Sequence, residues 1–210
     1  MKTFKLSLAA LTLIAAVTFS SCNQETPVVE EEVAVVVEEG LTGDYIVSAE
    51  VSKLAWLGTK ITGEHTGSIN IQEGYFTLSA GALTGAKVVV DMTSIVVEDI
   101  TDAEMKAKLT GHLNSEDFFN TAGFPTASLS LTEGDEANAS GELTIKGITN
   151  PVKFSYTVVE SETEVVLEGA VMVDRTLYDI KYGSGKFFEN LGDKTISDEF
   201  ELKFNVVSIK

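Results

Sequence analysis

The stretch Ile196-Ser197-Asp198-Glu199-Phe200-Glu201-Leu202-Lys203-Phe204-Asn205-Val206 decides the fold. Ile196, Phe200, Leu202, Phe204 and Val206 share one parity, while Ser197, Glu199, Glu201, Lys203 and Asn205 share the other. Successive side chains of a strand point to opposite faces, so this period of two predicts a β-strand with one dry face and one wet face.

The same period recurs upstream. Val152, Phe154, Tyr156 and Val158 alternate with Lys153, Ser155 and Thr157, and Leu143 and Ile145 alternate with Glu142, Thr144 and Lys146. Leu129 and Leu131 form another such face, as do Val165, Leu167, Val171 and Val173; Lys87–Met92 is apolar on both faces. Glu73-Gly74 and Lys146-Gly147 read as turns, and Glu133–Ser140 and Glu160–Thr163 as polar loops, because glycine and short polar residues supply hairpin geometry. One helix breaks the series: Thr101-Asp102-Ala103-Glu104 has capping-box spacing, Met105, Leu109 and Leu113 follow near helical spacing, and Gly111 weakens or ends the element. Many short strands favour closure, because an open sheet leaves reactive edges and about eight strands close into a barrel. The expectation is an all-β chain: an antiparallel barrel of about eight strands over residues 41–210, with one short helix between strands.

The N-terminus is of another kind. Lys2 and Lys5 precede an apolar run from Leu6 to Phe19, and Ser20-Ser21-Cys22 follows. A positive start, a short apolar run and small residues before a cut describe an export signal over residues 1–21. Phe19-Ser20-Ser21-Cys22 resembles a bacterial lipobox, in which Cys22 is acylated and becomes the mature N-terminus; the other reading is an ordinary secretory signal with an incidental cysteine. Acyl chains would then hold the chain in a membrane. Residues 22–40 are rich in glutamate and read as an acidic flexible tether, with Val33–Val37 as an alternative edge strand. The expected location is therefore the bacterial cell envelope, exported and lipid-anchored on the periplasmic side or the cell surface.

Composition removes other classes. The net charge of −17 argues against a nucleic-acid partner. Cys22 is the single cysteine, so no internal disulfide forms. Gly183-Ser184-Gly185-Lys186 lacks the spacing of a phosphate loop, and no nucleophile elbow, paired-acid motif or dinucleotide fingerprint appears. His65 and His112 are the two histidines, and no metal-ligand spacing joins them to a carboxylate such as Asp117. The chain reads as no enzyme, with no metal and no cofactor.

Taken in order, several blocks resemble the YceI-like, polyisoprenoid-binding family. They are Trp56–Lys60 with Gly63–Gly67, Lys87–Ile95, Gly111–Phe119 with Phe124–Ala127, Gly141–Val152, and Asp174-Arg175 with Tyr182-Gly183 and Leu191-Gly192-Asp193. The resemblance covers residues 41–210. It implies a lipocalin-like eight-stranded barrel with an elongated apolar lumen, and the binding or carriage of a long-chain apolar lipid, isoprenoid or quinone-like, with a homodimer as a further possibility. The alternative is a non-catalytic envelope interaction or stress-related protein with a filled barrel.

The lumen candidates are Trp56, Phe76, Phe154, Tyr156, Phe200 and Phe204, with Phe118, Phe119 and Phe124, clustered after the helix, as a lid or as pins for the helix. Alternation shows which face is dry and not whether the space is empty; alone it favours a packed core, and the resemblance favours a lumen. His65 is expected to make a polar bond near a barrel end. Arg175, the one arginine, either bridges loops or meets a polar head group.

Overall fold

The computed structural model describes residues 40–210. The export segment, Cys22 and the acidic tether with Val33–Val37 lie outside the described residues. Nine strands follow in order: β1 Gly43–Ile46, β2 Lys53–Lys60, β3 Gly63–Ser79, β4 Ala82–Val97, β5 Thr126–Gly134, β6 Asn138–Ile145, β7 Ile148–Glu160, β8 Glu164–Asp174 and β9 Ile196–Ile209. One helix, α1 Ala103–Asn114, joins β4 to β5.

All pairings are antiparallel, and β3 pairs with β4 as well as with β2, so β2 to β9 close into an eight-stranded barrel. The short β1 is an addition to the expected set. It lies on the same edge of β3 as β2, opposite Tyr75–Leu78, while β2 lies opposite Gly63–Ile69. Every ladder joins residues between Gly43 and Ile209, so the sheet closes without any residue outside 41–210.

Glu73-Gly74 is not a turn. It lies inside the 17-residue strand β3, where the register against β4 shifts between Ile71 and Glu73. The extra residue inverts the parity: Ile69 and Ile71 face the core before the shift, and Phe76 and Leu78 after it. Gly74 serves close approach, since a Cβ there would stand 2.8 Å from the Lys87 carbonyl oxygen. Lys146-Gly147 does form the β6–β7 turn, with φ of 51° and 72°, the positive pair that a two-residue hairpin of this hand requires.

The helix cap is Asp102, whose carboxylate accepts the Met105 N–H at 2.8 Å. Thr101 stands one residue too early, so the capping box does not form. The helix also runs through Gly111 to Asn114; that glycine is exposed and its missing side chain faces open space, so its cost is confined to backbone entropy.

The barrel has two unlike ends. The hairpin end carries the β3–β4, β5–β6 and β7–β8 turns together with the entry of the chain, where the Gly81 N–H donates to Leu41. The helix end carries α1, the β2–β3 and β6–β7 turns and the long β8–β9 connection. Two ladders leave the wall incomplete, and one of them is β4 with β5, paired only over Lys87–Asp91. β7 pairs with β8 only from Ser155 opposite Ala170 up to Glu160 opposite Val165, and Ile148–Phe154 continue without a β8 partner. There the 3₁₀ turn Arg175–Tyr178 takes over, tied to β7 by the Asn150 side chain donating to the Leu177 carbonyl at 3.0 Å.

Candidate functional site

Several inward-facing side chains remain only half-buried: Trp56, Val90, Leu143, Phe200 and Leu202. They point away from bulk solvent, so the surface they keep faces internal space. That space has two parts. An outer cavity at the helix end has about 130 Å³ open to the centre of a water molecule. An inner cavity toward the hairpin end has about 100 Å³. Val90, Leu143 and Leu202 line both, from β4, β6 and β9, and form a waist between them. The lumen is hollow, and its wall is almost wholly aliphatic and aromatic.

Trp56, Phe118, Phe119, Phe200 and Arg175 line the outer cavity. Phe76, Phe154 and Phe204 line the inner one. Trp56 sits opposite Gly67, where a Cβ would come within 2.5 Å of the indole ring. Glycine at that position therefore lets the ring lie flat across the neighbouring strand. The Trp56 Nε1–H is buried in this apolar wall without a partner.

Phe118 and Phe119 act as pins. They pack edge to face at 5.0 Å, Phe119 meets Phe200 at 6.3 Å, and Leu113 of α1 lines the same cavity, so the helix is fixed across the barrel end. Phe124 packs elsewhere, over Gly147.

Arg175 is the polar keystone of the outer cavity and is only 2% exposed. Its Nε donates to the Ser197 carbonyl at 2.8 Å, Nη1 to Ile180 at 2.8 Å and Nη2 to Ile196 at 3.2 Å. Asp198 stands 3.7 Å from Nη2, and the guanidinium lies over the Phe118 ring at 5.7 Å. Burial lowers its pKa, and Asp198 and Asp174 oppose the fall. The side chain bridges the β8–β9 connection to β9, the loop-bridging alternative of the two. Beside it, the buried Tyr178 hydroxyl has no partner, and burial, with Asp174 nearby, pushes its pKa up to about 12.

Two candidates stand apart from the cavities. The Tyr156 hydroxyl accepts the Leu83 N–H at 2.7 Å and donates to the Asp135 carbonyl, so this residue staples the hairpin end shut. His65 lies at the rim of the helix end, its Nδ1 2.8 Å from Asp99. His112 packs instead against Phe118 and Tyr182, at 5.5 and 4.4 Å. The waist residues were not among the sequence candidates. Leu143 and Leu202 stood on alternating apolar faces and Val90 in the run apolar on both faces, but aliphatic residues there carry the same signal as any core residue.

The model of the YceI-like domain family matches residues 45–208. A UPF0312 protein of Shewanella denitrificans is 32% identical over 102 residues, 46% of this chain and 51% of that protein. Protein YceI of Escherichia coli O157:H7 is 36% identical over 73 residues, 33% of this chain and 38% of that protein. The chain thus spans about half the length, or less, of these relatives. Among solved structures, Burkholderia cenocepacia BcnA aligns with a TM-score of 0.60 at 19% identity, covering 77% of this chain and 99% of that one. A polyisoprenoid binding domain from Saccharophagus degradans, implicated in plant cell wall breakdown, aligns at 0.53 and 16% identity, covering 79% and 98%. These two likenesses show the fold.

Proposed function

This chain belongs to the YceI-like family, and on that premise we propose that it is a non-catalytic binding protein holding one long apolar lipid, isoprenoid or quinone-like, along the barrel axis. The observation that carries this reading is the pair of apolar cavities joined at a waist of three aliphatic side chains. Two narrow chambers in line suit one slim flexible chain better than a compact ligand. The polyisoprenoid-binding neighbour from Saccharophagus degradans supports the same ligand class.

Binding needs no chemistry beyond burial. Each methylene taken from water contributes about 0.8 kcal/mol, so ten give about 8 kcal/mol before losses, in the micromolar range. Longer chains gain less per carbon, because ordering them costs entropy. The proposed setting is the bacterial cell envelope, with acylated Cys22 as the anchor.

Native mass spectrometry of Leu41–Lys210, with organic extraction of whatever is bound, tests the reading. A discrete added mass that extracts as an isoprenoid or quinone is the expected result. A bare mass that stays unchanged after incubation with such lipids overturns it.

A further inference from the structure

Four large apolar side chains of the β8–β9 connection stay open to solvent, while Tyr178 and Ile180 turn inward. Leu177, Tyr182, Phe187 and Phe188 are 49%, 48%, 44% and 50% exposed. Ile61 on the neighbouring β2–β3 turn is 67% exposed, and its N–H donates to Thr195 at the end of the same connection. Large apolar side chains gathered on one surface of a soluble domain mark a contact.

The cations here are arranged around the rings. The Lys181 and Lys186 ammonium groups stand 5.3 and 5.9 Å from the centre of the Phe187 ring. Arg175 is turned inward, so across residues 176–194 Lys181, Lys186 and Lys194 balance Asp179, Glu189 and Asp193, a locally neutral stretch in a chain whose net charge is −17. Lys181 also pairs with Asp179 at 2.6 Å, and Lys186 lies 3.9 Å from Asp174. Aromatic tips with lysine stems beside them match the chemistry of a bilayer interface, where rings settle at headgroup depth and ammonium groups reach phosphate.

We propose that this connection is a membrane-docking surface that sets the outer end of the lumen against a phospholipid bilayer. The proposal rests on the lipid-binding reading, because Arg175, Ile196 and Ser197 at the base of the same connection line the outer cavity. The length of chain ahead of the barrel permits the contact. The barrel is entered at the opposite, hairpin end. A 17-residue strand tilted in a barrel spans roughly 40–45 Å along the axis. Residues 23–40 reach at most about 60 Å, so the helix end can meet the membrane that holds Cys22.

The test floats Leu41–Lys210 with vesicles of mixed phosphatidylethanolamine and phosphatidylglycerol, beside the Phe187→Ser/Phe188→Ser variant. Both phenylalanines lie outside the cavity lining and are half exposed, and an unchanged Tm confirms the variant's fold. The expected result is flotation of the parent protein and at least about a tenfold loss in the variant. Polyprenol delivered in solution should still quench Trp56 in the variant, while uptake from vesicles slows. Failure of the parent to float, or equal flotation of the variant, overturns the docking surface. Flotation without polyprenol uptake by either route overturns the lumen reading and leaves docking intact.

Discussion

Replacing Val90 by phenylalanine should close the waist. Val90 lines both cavities with Leu143 and Leu202, so a ring there enlarges the partition between them. The inner cavity runs along β9 from Leu202 to Val206, about 13 Å of strand and roughly 10 Å along the axis, room for some six to eight chain carbons. At about 0.8 kcal/mol each they are worth some 5–6 kcal/mol gross, and chain ordering and imperfect fit reduce that to about 3 kcal/mol. A loss of that size weakens a long polyprenol about 100-fold. Geraniol, short enough for the outer cavity alone, should bind Val90→Phe as it binds the parent. Quenching of Trp56, the single tryptophan and an outer-cavity residue, reads both titrations in one protein. If long and short chains lose affinity equally, or neither loses any, the two chambers do not hold one ligand in series.

Arg175→Met should cost about 3–5 kcal/mol in urea unfolding, since it strips the donor from three carbonyls. Arg175→Lys should recover only part of that, because an ammonium cannot reproduce the planar fork; an unmoved midpoint with lost ligand affinity would assign the guanidinium to the ligand instead. Tyr178→Phe should be neutral to stabilising, because it removes a buried hydroxyl without a partner. The raised tyrosine pKa means that the folded state resists ionisation of this hydroxyl: no pH-dependent cost arises below the ordinary value of 10.0, and stability falls as pH rises from there toward about 12. The variant should therefore show a flatter alkaline limb in urea midpoints taken against pH. Asp99 is shifted the other way: slight burial works to raise its pKa, but hydrogen bonds from His65 and the Thr66 N–H prevail and hold it below the ordinary 3.8. Its contribution is present above that value and lost as pH falls through the lowered one, so Asp99→Asn should lose that part of the acid limb in urea midpoints taken against pH.

Strand identity was legible because burial on one face imposes a period of two. Phe200, Leu202 and Phe204 face the lumen as their parity requires. Closure was expected from the cost of open edges and from the family resemblance; the β3–β4 ladder that achieves it crosses three register shifts, and a shift inverts the parity on which the reading depends. Hence Glu73-Gly74 resembled a turn where the strand continues. The cap fell at Asp102 because threonine and aspartate both cap, and only the backbone geometry selects between neighbours. Hollowness left no mark, since an aliphatic wall reads alike whether or not atoms stand opposite. Tyr156 shared the inward parity of Phe154 but stands near the hairpin end, where its hydroxyl finds Leu83 and Asp135.

The unfinished β7–β8 ladder sets the calibre of the tube. In a fully laced hoop, widening by any amount must break a row of hydrogen bonds. Here the strands part beyond Ser155 and Ala170, and the hoop can slacken at that level by moving two side-chain latches, the Asn150–Leu177 and Lys146–Asp179 bonds. Girth is thus compliant at this level, while the β8–β9 ladder beside it holds. A chain bearing methyl branches could be admitted by elastic give, with the rest of the lacing intact. Amide hydrogen exchange should register this as faster opening along Ile148–Phe154 than along the fully laced β8–β9 pair.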